Sequence, residues 1–158
     1  TDTDLSALIA SVDEAAWQEF QLAELPVRVQ TPYPEGRGPQ SPWGPAQYVT
    51  SYADKIWHYE CAGHGGFLIA PELNETFPPA LRRDSGWYEE DCDWSMPVIA
   101  LRDHEPAIFT EVEITRAERV LRNWHPDAWE AAYGRELKPG ESGMKDRRER
   151  EASTSPAP

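Results

Sequence analysis

The sequence predicts an α+β fold, a small antiparallel β-meander packed by helices. Three observations carry that expectation. Residues 46–70 are rich in aromatic and β-branched residues and are broken by two short turns. Apolar residues on either side of that block recur at helical spacing behind capping pairs. Seven Trp, six Tyr and four Phe in 158 residues supply the bulk for one core, at a length that suits one domain. The expected organisation is an N-terminal helix over 1–25, a Pro/Gly-rich arm over 26–45, an α+β core over 46–134 and a disordered tail over 135–158.

The N-terminal helix is read from Leu5, Leu8, Ile9, Val12 and Ala16, which share one face. Ser11 and Glu14 form a capping-box pair, so the helix can restart at residue 12 and run to about Glu24 before Pro26 ends it. Five prolines and three glycines over 31–45 make the arm an extended linker. Strands are expected at Tyr48–Tyr52, Ile56–Cys61 and Phe67–Ala70, with turns at Ala53-Asp54-Lys55 and at Gly63-His64-Gly65-Gly66. In the middle strand, alternation sets Trp57, Tyr59 and Cys61 on one face and Ile56, His58 and Glu60 on the other. Pro71 opens a short helix that Pro78-Pro79 breaks. Val98-Ile99-Ala100-Leu101 fits either a strand or a buried helical turn. Thr115 and Glu118 predict a cap for a helix carrying Ala117, Val120, Leu121 and Trp124. Pro126 and Gly134 bound a last short helix.

Charge narrows the function classes. The chain carries 28 acidic against 15 basic residues, a formal charge of −13. The last 24 residues hold six basic and five acidic groups and no aromatic residue, so the imbalance belongs to residues 1–134. A surface this acidic does not bind nucleic acid or anionic lipid through bulk electrostatics. No apolar run approaches the ~20 residues that cross a bilayer. The start, with Asp2 and Asp4 in place of a basic region, does not read as a signal peptide. Two cysteines are read as reduced thiols, and a cytoplasmic location is expected. Phosphate-binding loops, dinucleotide glycine patterns, nucleophile elbows and HExxH motifs are absent from the sequence. No cofactor is expected.

Four groups of residues can carry chemistry. Asp84 to Trp94 packs five carboxylates among aromatic residues, and Glu89, Glu90, Asp91 and Asp93 lie within five positions. Read functionally, these four with Trp87, Tyr88 and Trp94 form a patch for a basic partner, with the aromatics as anchors; read plainly, they are a solvated loop. His64 lies among three glycines and can act as a general base oriented by Asp91, or simply mark a hairpin tip. Cys61, His64 and Cys92, with His58 or Asp93, can supply zinc ligands, although a single Cys-x-x-His matches no common finger spacing. Arg116, Arg119 and Arg122 form a basic stripe that either binds an acidic partner or pairs internally.

Pro42-Trp43-Gly44, Ala62-Gly63-His64-Gly65-Gly66-Phe67 and Gly86-Trp87-Tyr88-Glu89-Glu90-Asp91-Cys92-Asp93-Trp94 resemble motifs of an uncharacterised domain of bacterial plasmid and phage proteins. The resemblance spans roughly residues 41–133. It implies a mobile-element setting that includes antirestriction-type genes, and it carries no catalytic residues. The expected function is an acidic, non-enzymatic interaction protein of a mobile element. Its carboxylates would stand in for phosphates against a basic host defence nuclease or effector, as an antirestriction or anti-CRISPR nucleic-acid mimic. The alternative is a small metal-binding protein or hydrolase-type enzyme centred on His64 and residues 89–93. A homodimer formed through exposed tryptophans is a third reading.

Overall fold

The structure is a computed structural model that describes residues 14–156. The expected apolar face at Leu5, Leu8, Ile9 and Val12, and the Ser11 cap, lie outside the described residues. Helix α1 covers Glu14–Glu24. Six strands follow: β1 Val29–Pro32, β2 Gln40–Ser41, β3 Gly44–Ala53, β4 Ile56–Cys61, β5 Gly65–Ile69 and β6 Trp87–Glu89. Between β5 and β6 lie the one-turn helix α2 (Pro71–Asn74) and a 3-10 turn at Pro79–Leu81. Helices α3 (Ser95–Ala100), α4 (Glu111–Trp124), α5 (Pro126–Tyr133) and α6 (Gly143–Thr154) complete the chain. The α+β class read from the sequence is the class observed.

The antiparallel sheet runs β1-β3-β4-β5-β6, with β2 folded back on the start of β3. The expected meander is its centre. A two-residue turn, Asp54-Lys55, joins β3 to β4 with Ala53 opposite Ile56, and Lys55 takes a left-handed φ of 70°. The sheet is wider than expected because both flanking segments join it. Val29–Pro32 of the arm pair with Ser51–Tyr48, and Trp87–Glu89 of the acidic segment pair with Leu68–Gly66.

Alternation along β4 divides the molecule as the sequence predicts. Ile56 belongs to the main core, where Phe67, Ile69 and Tyr88 of the sheet meet Val98, Ile99, Ala117, Leu121 and Trp129 of the helices. Burial of such side chains contributes about 1.5–3 kcal/mol each. Cys61 belongs to a second cluster with Ala46 and Val49, flanked by Tyr33, Trp43, Trp57 and Tyr59.

Val98–Leu101 resolves as helix: Ser95 to Ile99 are all buried, and the Leu101 N–H bonds to the Pro97 carbonyl. Helix α4 starts earlier than predicted. Its cap is Thr110, whose hydroxyl accepts the Glu113 N–H (3.0 Å) while the Glu113 carboxylate accepts the Thr110 N–H (2.8 Å). Thr115 and Glu118 fall inside the helix, where the Glu118 carboxylate takes Arg122 and the Trp129 indole N–H instead.

The expectation of a disordered tail over 135–158 is corrected for residues 135–156. Leu137 and Ser142 are buried, and α6 is tied down by Lys145, whose ammonium reaches Glu130 (3.1 Å), Glu136 (3.2 Å) and the Leu137 carbonyl. Arg148 pairs with Asp127, and Arg122 donates to the Glu141 carbonyl. Part of the balanced charge that suggests solvation is consumed in these contacts. The basic stripe on α4 is largely consumed too: Arg116 pairs with Glu14 of α1 and Arg122 with Glu118.

Candidate functional site

The acidic segment becomes strand β6 and a turn that leads into α3. Gly66 of β5 makes its close approach possible, since a Cβ there would run into the Tyr88 carbonyl oxygen and the Trp43 ring. Tyr88 points into the core and is fully buried; its hydroxyl donates to Asn74 Oδ1 (2.5 Å) and accepts the Arg83 N–H (3.0 Å). It is therefore not available as an anchor for a partner. Trp87 lies half-buried on the other face, edge-on to Tyr59 and Trp43 at 4.9 and 5.6 Å between ring centres.

The four clustered carboxylates separate into two pairs. Glu89 turns back to organise the turn, accepting the N–H groups of Asp91 (3.0 Å), Cys92 (2.7 Å) and Asp93 (3.2 Å). Burial raises its pKa, but these donors together outweigh burial and hold it below the usual carboxylate range. Asp93 accepts Arg83 Nη2 at 3.1 Å and stands 2.9 Å from His125 Nε2. Glu90 and Asp91 remain exposed and form no ion pair among the described residues. The cluster that looks continuous in sequence is thus half internal.

Cys92, Asp93 and His125 converge, their donor atoms all within 4.8 Å of one another. The Cys92 thiol also donates to Glu89 Oε1 at 3.3 Å. Burial, this hydrogen bond and the charges of Glu89, Asp93 and Asp91 push its pKa up to about 12. That is opposite to the lowered pKa of a catalytic thiol, so without a cation beside it the group is a poor nucleophile. The alternative zinc-ligand set read from the sequence, Cys61, His64 and Cys92, is not assembled. Cys61 is buried in the second cluster beside Ser41 Oγ (3.3 Å), and His64 is exposed at the β4–β5 turn, where its carbonyl accepts the Cys61 N–H. Neither belongs to the group around Cys92.

Beside the same turn, a cavity of about 180 Å³ opens between the sheet and the helices. Tyr52, Phe67, Trp94, Val98 and Phe109 form its apolar walls, and His58, Glu90 and Glu113 its polar groups. The rings are locked edge to face: Tyr52 and Phe109 each pack against Phe67, at 5.1 and 5.9 Å between centres. His58 packs edge-on against Phe67 at 5.0 Å. Burial lowers its pKa below the ordinary histidine value, against the opposing pull of Glu60 and Glu90. Glu113 is already engaged, because the Arg28 guanidinium gives it two hydrogen bonds of 2.6 and 2.8 Å while lying 4.1 Å over the centre of the Tyr52 ring. Glu90 has no such cation among the described residues.

A concave apolar site with a few converging polar groups is the usual form of a binding site. Sequence reading singles out Glu90 and Trp94 of this cavity as part of a partner-binding patch and His58 only as an alternative zinc ligand, while its enzyme alternative centres on His64 and residues 89–93. The usable signal lies in the strand alternation, which sets His58 on the same face as the core residue Ile56. Tyr52, Phe109 and Glu113 carry no local motif and meet only through the tertiary fold.

A family model described as a domain of unknown function, DUF7007, matches residues 36–155, a span that includes α6. No curated protein and no solved structure matches the chain.

Proposed function

The chain belongs to the DUF7007 family, a domain of unknown function, and from that starting point we propose that it is an acidic, non-enzymatic interaction protein that captures basic groups of a protein partner. One observation carries this reading. Glu90, with no ion-pair partner among the described residues, lines an aromatic cavity in a chain of net charge −13. The neighbouring Arg28 demonstrates the chemistry within the molecule: a guanidinium stacked on Tyr52 and bonded to a carboxylate. A partner's arginine at Glu90 would repeat it, and the net charge would speed encounter.

The finer form of the proposal is inhibition of a host nucleic-acid-targeting defence protein, of antirestriction or anti-CRISPR type, by nucleic-acid mimicry. Its support is the resemblance to plasmid and phage proteins together with the charge. The geometry changes which residues would take part. Glu90 and Asp91 are free for a partner, with Trp94 in the cavity wall, whereas Glu89, Asp93 and Tyr88 serve the fold.

The test is titration of the protein with an arginine-rich peptide at increasing salt, beside a Glu90→Gln/Asp91→Asn variant. Affinity is expected to fall with salt and to drop about fivefold in the variant, from two exposed charges worth ~0.5 kcal/mol each. Equal binding by both proteins would sink the proposal.

A further inference from the structure

We infer that Cys92, Asp93 and His125 form a binding site for a zinc-class divalent cation. The three donors are of three chemical kinds and come from two segments, the turn into α3 and the junction between α4 and α5. Asp93 Oδ1 stands 2.9 Å from His125 Nε2 and 3.9 Å from Cys92 Sγ. Tetrahedral zinc, with its usual bond lengths to S, N and O, sets donor atoms about 3.3–3.6 Å apart. These two separations bracket that range and the third lies within 4.8 Å, so small side-chain adjustments would draw the three donors onto one cation.

A second observation points the same way. His125 Nε2 is buried from solvent and, among the described residues, has no aligned hydrogen-bond partner, despite its closeness to Asp93. Buried polar atoms are rarely left so, and a metal ion facing the ring would take up that nitrogen's lone pair. The surroundings are built as an outer shell: Arg83 holds the Asp93 carboxylate, and Glu89 holds the Cys92 backbone through its N–H. The His125 main chain is fixed at both ends, donating to the Leu121 carbonyl and accepting the Trp129 N–H. Thiolate and imidazole donors select zinc-class ions over Mg²⁺ or Ca²⁺. Three protein ligands leave a fourth position for water or a partner's group. The bound ion would tie the acidic turn to the helical layer, and it depends on none of the residues assigned to capture of basic groups.

The experiment is titration of the full chain with Co²⁺, followed by thiolate-to-cobalt absorption in the near ultraviolet, with Zn²⁺ as competitor and Mg²⁺ and Ca²⁺ as controls. One Co²⁺ per chain is expected, displaced by Zn²⁺ alone. The chain has two cysteines, so a band that persists in Cys61→Ser must arise from Cys92, whether or not Cys92→Ser folds. His125→Gln, checked for folding by circular dichroism, is expected to weaken binding at least about tenfold. Absence of the band from the unmodified chain, its loss in Cys61→Ser, or unchanged affinity in folded His125→Gln would each overturn the inference.

Discussion

Replacing Tyr88 by phenylalanine removes one oxygen atom from the centre of the protein and nothing else. The ring volume is conserved, so no cavity term enters. The hydroxyl donates to Asn74 Oδ1 at 2.5 Å and accepts the Arg83 N–H at 3.0 Å. Asn74 is itself buried, and its amide donates to the Arg83 carbonyl at 2.8 Å, so the three groups form one closed network. Tyr88→Phe strands the Asn74 oxygen and the Arg83 N–H. An unsatisfied buried group costs about 1–3 kcal/mol, and Arg83 lies near enough to the surface for water to offset part of its loss, which gives a total of about 2–4 kcal/mol. Equilibrium urea unfolding measures this directly: the midpoint should fall with an unchanged slope. Folded Tyr88→Phe should bind an arginine-rich peptide as well as the unmodified chain does. A loss of stability below about 1 kcal/mol would refute the network reasoning, and weakened peptide binding would return Tyr88 to the interaction surface.

Burial holds the His58 pKa below its ordinary value of 6.5, so neutral His58 stabilises the fold above that pH. As pH falls below 6.5 the unfolded chain takes up the proton first, and this contribution declines until folded His58 also protonates. NMR titration of the ring should show the lowered value, and Glu90→Gln, which removes a charge that raises it, should lower it further; a midpoint above 6.5 would contradict the placement. Glu113→Ala removes both the carboxylate half of the capping box and the partner of the mostly buried Arg28. It should cost about 2–4 kcal/mol by urea unfolding, with a large coupling to Arg28→Ala in a double-mutant cycle, and additive losses would show the pair to be inert.

What can be read from the sequence follows the range of the interactions involved. The β3–β4–β5 meander, α5 between Pro126 and Gly134, and the two faces of β4 depend on local turns and alternation, and all are readable. The start of α4 is not, because a capping box is a four-residue pattern that Thr110/Glu113 and Thr115/Glu118 both satisfy. Tertiary contact decides between them, since Arg28, 85 positions away from Glu113, holds the first carboxylate. The tail escapes for a related reason. Lys145 and Arg148 look solvated in isolation and find Glu130, Glu136 and Asp127 only once α5 is in position. The acidic segment stands out in the sequence, but its charge reads there as a sum. Whether a carboxylate faces a partner or caps its own turn depends on backbone geometry that composition does not contain. His125 enters no candidate group drawn from the sequence, since no motif or regular spacing links it to Cys92 and Asp93.

The two outermost strands limit how the protein can assemble. An unpaired strand edge exposes N–H and C=O groups that can template a neighbouring chain. Here β1 is four residues long, fully exposed, and ends at Pro32, which has no N–H to offer. At the opposite margin β6 is three residues long, and the chain leaves it at once for the turn capped by Glu89. Neither margin presents a long flat ladder, so strand-by-strand growth into fibres is opposed at both ends. A chain of net charge −13 gains colloidal safety from these two short borders as well as from its net repulsion.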